Sequence, residues 1–276
     1  MLSFSVLISL YKNEKPQYLN DCLSSIANQT LTPNEIILVL DGSVGIELIE
    51  VIFKWLKIIP IKIIKLSKNV GLGQALNIGL QQCKFELVAR MDTDDICYST
   101  RFEKQINYII KYPNIAVLGS NIYEFNNNIC NIRGIRTTPS SYEDIVKFSK
   151  IRNPFNHMTV IFKKSIIQKV GGYQHHLYME DYNLWLRVIS NKYYVKNLPN
   201  ILVYARVDDK MIYRRRGLIY IKSEFKIAIL KMKLKIQNPF LSLITFCLRS
   251  LLRLLSVRYI SLIYKKIRRY NNNLKS

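Results

Sequence analysis

Acid is scarce in this chain. Lys and Arg outnumber Asp and Glu by 41 to 19, for a formal net charge of +22. An excess of this size attracts anionic partners such as nucleic acid, acidic lipid or phosphorylated substrate, and its sign alone does not choose among them. The shortage of acid is uneven, being deepest from Arg206 to the end. The five cysteines (Cys22, Cys83, Cys97, Cys130 and Cys247) are odd in number, scattered and without a C-x-x-C pair, so they read as reduced core thiols of a cytosolic protein. Only three histidines are present, and no His/Cys set has zinc spacing. A P-loop, a G-x-G-x-x-G and a G-x-S-x-G elbow are all missing, which removes the metallohydrolase and serine-hydrolase readings. Long apolar runs are missing too. The stretch from Pro239 to Cys247 is interrupted by Arg249, Arg253 and Arg258 well before the roughly 20 residues that span a bilayer. The apolar run MLSFSVLISL has no basic segment before it and no small-residue cleavage site after it, so it reads as a first strand and not as a signal peptide.

What is present has the rhythm of an α/β protein. The runs FSVLISL (4–10), EIILVL (35–40), IKIIKL (61–66) and FELVARM (85–91) alternate with segments of helical spacing. That order implies βαβ units and a mostly parallel sheet flanked by helices. With 276 residues and no recurring period, the chain suits one large α/β domain or a domain with an appendage. Further on, Thr100 to Glu103 fits a capping box for a helix over 101–112 that ends at Pro113. An Asn-rich turn at 126–131 and a loop at 133–141 follow. Gly171-Gly172-Tyr173 closes one helix, a second begins near Met179, and from about 211 the chain reads as helical with a break at Asn238-Pro239.

Each early run ends in polar or flexible residues: Lys12 to Glu14, Asp41 to Ser43, Asn69 to Gly73, and Asp92 to Asp95. Ligands of open parallel sheets bind at the carboxyl ends of the strands, so these four loops are expected to share one crevice. Asp92-Thr93-Asp94 reads either as a solvated turn or as hard oxygen ligands for Mg²⁺ or Mn²⁺ bridging substrate phosphates, because neighbouring carboxylates raise one another's cost unless a cation is present. Asp41 either starts a turn or accepts hydrogen bonds from a base or ribose. Asn69 to Gly73 is either a plain β-to-α turn or a close backbone approach to a nucleotide. Glu180-Asp181 opens a helix whose Leu184, Trp185 and Val188 face inward. That pair is either an acidic N-terminus favoured by the helix dipole or a rigidly held general base. His157 precedes a strand and reaches the same crevice, whereas His175 and His176 read as surface or turn residues.

Taken together, SVLISLYKNE, EIILVLDGS, NVGLGQALNIG, ARMDTDDICYSTRFEKQ and MEDYNLWLRV resemble, in order and spacing, the family 2 glycosyltransferases of GT-A fold over about residues 4–205. NPFNHMTVIFKKS and YRRRGLIYIKSE look like the subgroup that builds bacterial surface polysaccharides such as capsule, O-antigen and exopolysaccharide. The resemblance implies a catalytic domain over 1–205, with a nucleotide-sugar half (about 1–112) and an acceptor half (113–205), followed by a basic helical tail over 206–276. It implies that Glu14 and Asp41 contact the nucleoside, that Asn69 lines the same pocket, and that Asp92 lies near the ribose and metal. Asp94 would be the main ligand of Mn²⁺ or Mg²⁺, and Asp181 the catalytic base of an inverting transfer. Arg215 and Arg216, with Arg214, would assist the diphosphate, and His157 and Glu180 would contact acceptor or diphosphate. The implied donor is a nucleotide sugar, UDP-linked above all, and the implied acceptor a glycan or polyprenyl-diphosphate-linked sugar. One departure from the family pattern is Leu40, which stands before Asp41 where many relatives carry a second acid.

The tail from Pro239 onward mixes Leu, Ile and Phe with Arg and Lys and holds no acid. Such a stripe suits an anionic membrane surface on the inner face of the cell membrane, or a helix packed on the domain with its basic face wet. Two other readings stay open at this stage: a non-catalytic scaffold, and a nucleic-acid-binding basic protein. No nucleic acid is expected, because no recognition-module signature appears and the basic residues are interleaved with aliphatics.

Overall fold

The computed structural model describes residues 2–207 and 217–254. β1 (Phe4–Leu10) and β2 (Glu35–Leu40) are apolar along nearly their whole length and buried on both faces. That is the pattern of central strands in a sheet covered by helices on each side. They pair in parallel, with β3 (Ile61–Lys65) outside β2 and β4 (Leu87–Arg90) outside β1. Beyond β4 the direction changes. β8 (Ile161–Lys163) runs antiparallel to β4, and β6 (Val117–Phe125), β9 (Val195–Arg206) and the two-residue β5 (Ile96–Cys97) complete the order β3-β2-β1-β4-β8-β6-β9-β5. β7 (Ile132–Arg136) forms a hairpin with β6 through the Asn-rich turn, so part of the expected loop at 133–141 is a strand that pairs with the second half of β6.

Alternation along β1 divides the core in two. Phe4, Val6, Ile8 and Leu10 pack against α1 (Pro16–Ala27), α2 (Ile46–Leu56) and α4 (Arg101–Lys111). On the other face Leu7, with Ile37 and Val39 of β2, packs against α3 (Leu72–Gln82), α5 (Tyr142–Ser149), α6 (Lys164–Lys169) and α7 (Glu180–Ser190). α3 lies very close to the sheet because Gly79 has no side chain. A Cβ there would stand 2.5 Å from Leu7 Cδ1 and 2.6 Å from Val39 Cγ2.

α7 is buried from Tyr182 to Ile189, on more than the inward face its spacing predicts. The reason is α8 (Gly217–Lys233), whose Tyr220 and Ile227 pack on Met179, Tyr182 and Leu186. α9 (Pro239–Leu254) packs in turn on α8, with Phe246 edge-on to Phe225. The same packing corrects the reading of His176. It is buried, within 2.9 Å of the Ser223 carbonyl and 3.1 Å of Asn183 Nδ2, instead of lying at the surface.

The helix over 101–111 forms without the expected capping box. Thr100 already belongs to a turn closed by the Arg101 N–H on the Tyr98 carbonyl, so its hydroxyl caps nothing, and Glu103 accepts from the Thr30 hydroxyl at 2.7 Å.

Candidate active site

The loops after β1, β2, β3 and β4 meet at one sheet edge, as parallel βαβ order requires. Asp41, 4% exposed, is the pivot of two of them. Its carboxylate accepts from the N–H of Val70 at 2.7 Å and of Gly71 at 3.1 Å, and from Asn69 Nδ2 at 3.0 Å. The side chain therefore folds the β3–α3 loop onto β2. Gly42 makes room for that loop: its φ is +87°, and a Cβ there would meet the Asn69 nitrogen at 2.8 Å.

The acid loop after β4 is fixed by Glu14 and by two arginines, Arg90 and Arg206, that the sequence does not single out. Arg90, fully buried at the end of β4, pairs with Asp92 and donates to the Leu7 carbonyl. The Thr93 hydroxyl bonds Glu14, tying the loop after β1 to the acid loop. Arg206, at the end of β9, gives its backbone N–H to Asp95 at 2.8 Å and its Nε to the Asp94 carbonyl at 3.0 Å. Its guanidinium lies 3.8 Å over the Tyr18 ring. Asp95 thus joins β9 to the loop.

Crowding these acids in a desolvated place shifts their titration. Burial, with the charges of Asp92 and Glu14 adding to it, pushes Asp94 up to about 7. Burial and the charges of Asp94 and Asp92 raise Asp95 well above the usual carboxylate range. A divalent cation relieves this repulsion, and Asp92 and Asp94 are hard oxygen donors of the type Mg²⁺ and Mn²⁺ take. Among the described residues no three His, Cys, Asp or Glu enclose a metal position by themselves. One or two carboxylates completed by substrate phosphate oxygens is the form Mg²⁺ commonly adopts with nucleotides, and these residues fit it.

Beside the acid loop opens a cleft of about 530 Å³, into which Asp92, Gly71 to Gly73, His157, Glu180 and Asp181 all project. Glu14, Asp41, Asn69 and Asp94 stand on the same edge, outside its wall. Asp181, at the start of α7, accepts from Asn153 Nδ2 at 2.6 Å through one oxygen and from the Tyr182 N–H at 2.7 Å through the other. Glu180 stands against α3, where a Cβ on Gly73 would lie 3.1 Å from its Cγ, and burial pushes its carboxyl up to about 7. His157 is hydrogen-bonded to the Tyr173 hydroxyl at 2.9 Å, and burial lowers it to about 4, so its ring is neutral near pH 7. Arg214, Arg215 and Arg216 lie outside the described residues.

A family model described as glycosyl transferase family 2 matches residues 5–170. The chain belongs to glycosyl transferase family 2. Among family 2 relatives, the amylovoran biosynthesis glycosyltransferase AmsE of Erwinia amylovora is 46% identical over 266 residues, covering 96% of this chain and 99% of its own. A UDP-Gal:alpha-D-GlcNAc-diphosphoundecaprenol beta-1,3-galactosyltransferase of Escherichia coli is 39% identical over 96% of both chains. In structure, TarS of S. aureus in complex with UDP-GlcNAc superposes with a TM-score of 0.66 at 18% identity, over 90% of this chain and 72% of its own. Mannosyltransferase PcManGT from Pyrobaculum calidifontis, in complex with GDP-Man and Mn²⁺, gives 0.61 at 14% identity over 96% and 79%. The fold is GT-A, and this family 2 protein is a glycosyltransferase whose relatives act in bacterial exopolysaccharide and O-antigen synthesis.

Proposed function

We propose that this family 2 glycosyltransferase moves a sugar from a UDP-sugar donor to a hydroxyl of a lipid-linked sugar diphosphate, with inversion at the anomeric carbon. The observation that carries the proposal is the arrangement of acids: a buried acid loop at the sheet edge and a separately held Asp181 across one cleft. The lipid-linked acceptor is supported by the galactosyltransferase relative, and the UDP donor by that relative and the TarS complex.

In this reading Asp181 takes the proton of the acceptor hydroxyl, whose oxygen attacks the anomeric carbon from the face opposite the diphosphate. The bond from that carbon to the diphosphate oxygen breaks, and the nucleoside diphosphate leaves with the electron pair. No sugar–enzyme bond forms. The Asn153 amide and the Tyr182 N–H hold the Asp181 carboxylate in place, which is what a positioned base requires. Asp41, through the loop it folds, together with Asn69 and Glu14 shapes the nucleoside side, with Asp92 toward the ribose. Asp94 and Asp92 would hold Mn²⁺ or Mg²⁺, which when bound neutralises charge on the leaving diphosphate. Neutral His157, and Glu180 with its carboxyl raised to about 7, present hydrogen-bonding groups to the acceptor or diphosphate.

The protein would work at the inner face of the cell membrane. α9 exposes Phe240, Leu248 and Leu251, and after Glu224 the chain carries no acid, a composition suited to anionic lipid. Among the described residues no helix is long and apolar enough to cross a membrane.

The direct test is transfer from radiolabelled UDP-sugars to lipid-diphosphate-linked acceptors by wild type and by Asp181→Asn. A general base supplies roughly 10²- to 10⁴-fold, so the variant should lose at least that range while binding UDP normally. Full activity in the variant removes the base assignment.

A further inference from the structure

α8 and α9 supply the wall of the cleft reached from the Asp181 side, through Tyr220, Arg249 and Arg253. Charge on that wall does not balance. Glu224 is its one buried acid, and Arg249 forks onto it, Nε to one oxygen at 2.7 Å and Nη2 to the other at 2.6 Å. Arg253 reaches the same carboxylate at only 3.6 Å, and its buried Nε has no hydrogen-bond partner among the described residues. Lys231, 2% exposed, sits in the same field and donates to the Lys150 carbonyl. Three cations share one carboxylate, and two of them, Arg249 and Arg253, reach the cleft. An anion arriving from the cleft would relieve that excess.

An aromatic surface adjoins the cations. Arg253 lies 4.6 Å over the Tyr220 ring, and Tyr220 stacks on Tyr178 with centroids 5.7 Å apart and planes at 21°. Tyr178 is held at φ +67°, a left-handed conformation costly for a non-glycine residue and kept where the surroundings enforce it, often at ligand sites. The cleft wall therefore carries, near the proposed base, the exposed ring of Tyr178, suited to a sugar, and then unbalanced guanidinium groups suited to phosphate oxygens. The helices that hold them also present exposed apolar side chains, Leu218 and Leu248 among them.

We infer that Tyr178, Arg249 and Arg253 form the acceptor subsite, Tyr178, backed by Tyr220, stacking the first sugar and the arginines holding the diphosphate that links it to the lipid. This inference rests on the glycosyltransferase reading above and assigns the α8–α9 pair to substrate recognition. It makes the diphosphate of the acceptor, and not only that of the donor, a recognised group.

The test uses the full-length protein with saturating UDP and Mn²⁺, so that the donor side is filled, and farnesyl diphosphate as the probe. Farnesyl monophosphate, farnesol and inorganic pyrophosphate serve as comparison arms. Wild type should bind farnesyl diphosphate at least about tenfold more tightly than farnesol or pyrophosphate, as charge-assisted hydrogen bonds plus an apolar chain require. Arg253→Gln should weaken that binding about tenfold while leaving UDP affinity within about twofold, which also reports that the variant is folded. Equal affinity for farnesol and the diphosphate in wild type, displacement of the probe by UDP, or an unchanged affinity in Arg253→Gln would each overturn the subsite. Wild type that binds the lipid diphosphate but no UDP would contradict the donor reading and leave the subsite standing.

Discussion

Asn153 donates a 2.6 Å hydrogen bond to Asp181, joining the loop after α5 to the first turn of α7. The bond fixes the orientation of the carboxylate without neutralising it. Asn153→Ala should therefore lower kcat roughly tenfold with little change in donor KM, the pattern for a residue that positions a base. A steady-state comparison in both substrates checks this, and a change confined to donor KM would mean that Asn153 serves the nucleotide.

Asp41 satisfies two backbone N–H groups and the Asn69 amide from a buried position. Asp41→Ala leaves those donors without an acceptor, at a cost of about 2–3 kcal/mol. Urea unfolding should show that loss, and UDP affinity should fall with it as the β3–α3 loop comes off β2.

Arg206 clamps the acid loop from the end of β9 through Nε and its aromatic stacking, while its backbone N–H would survive substitution. Arg206→Met keeps the aliphatic stem and removes the guanidinium, so it should cost about 2 kcal/mol. Metal-dependent nucleotide binding should weaken more than the stability loss alone explains.

Stability of the ligand-free protein should fall as pH rises toward and past 7. Asp94 and Glu180, raised by burial to about 7, take up protons on folding, so their contribution is full below their unfolded values and is lost as pH climbs through the folded ones. His157, lowered to about 4, acts in the opposite sense, adding stability as pH rises between about 4 and 6.5. Above about 6.5 the carboxylates act alone, and the melting temperature should drop between about pH 6.5 and 7.5. Glu180→Gln should flatten that drop, and a slope unchanged in this variant would remove Glu180 from the explanation.

The site was legible in the sequence where its chemistry coincides with periodicity. β1 and β2 follow their apolar runs residue for residue, and the polar residues after the first four runs do meet at one edge. The residues that hold those acids in place were not legible, because their partners are remote: Arg206 bonds the acid loop from 112 residues away, and Thr93 meets Glu14 across 79. In a chain with 41 basic residues, one more arginine carries no signal. The Thr100 capping box failed for a related reason: the pattern was present, but a turn from Tyr98 had already taken the helix entrance. His176 looked exposed because its cover, α8, lies far along the chain.

The most direct measurement is calorimetric titration of wild type and Asp94→Asn with UDP, GDP, UMP and a panel of UDP-sugars, each with Mn²⁺ and with chelator. The uridine diphosphates should bind in Mn²⁺ and much more weakly in chelator, and Asp94→Asn should lose that metal dependence. Equal binding with and without metal in both proteins, or no uridine nucleotide binding by folded wild type, would contradict the proposed function.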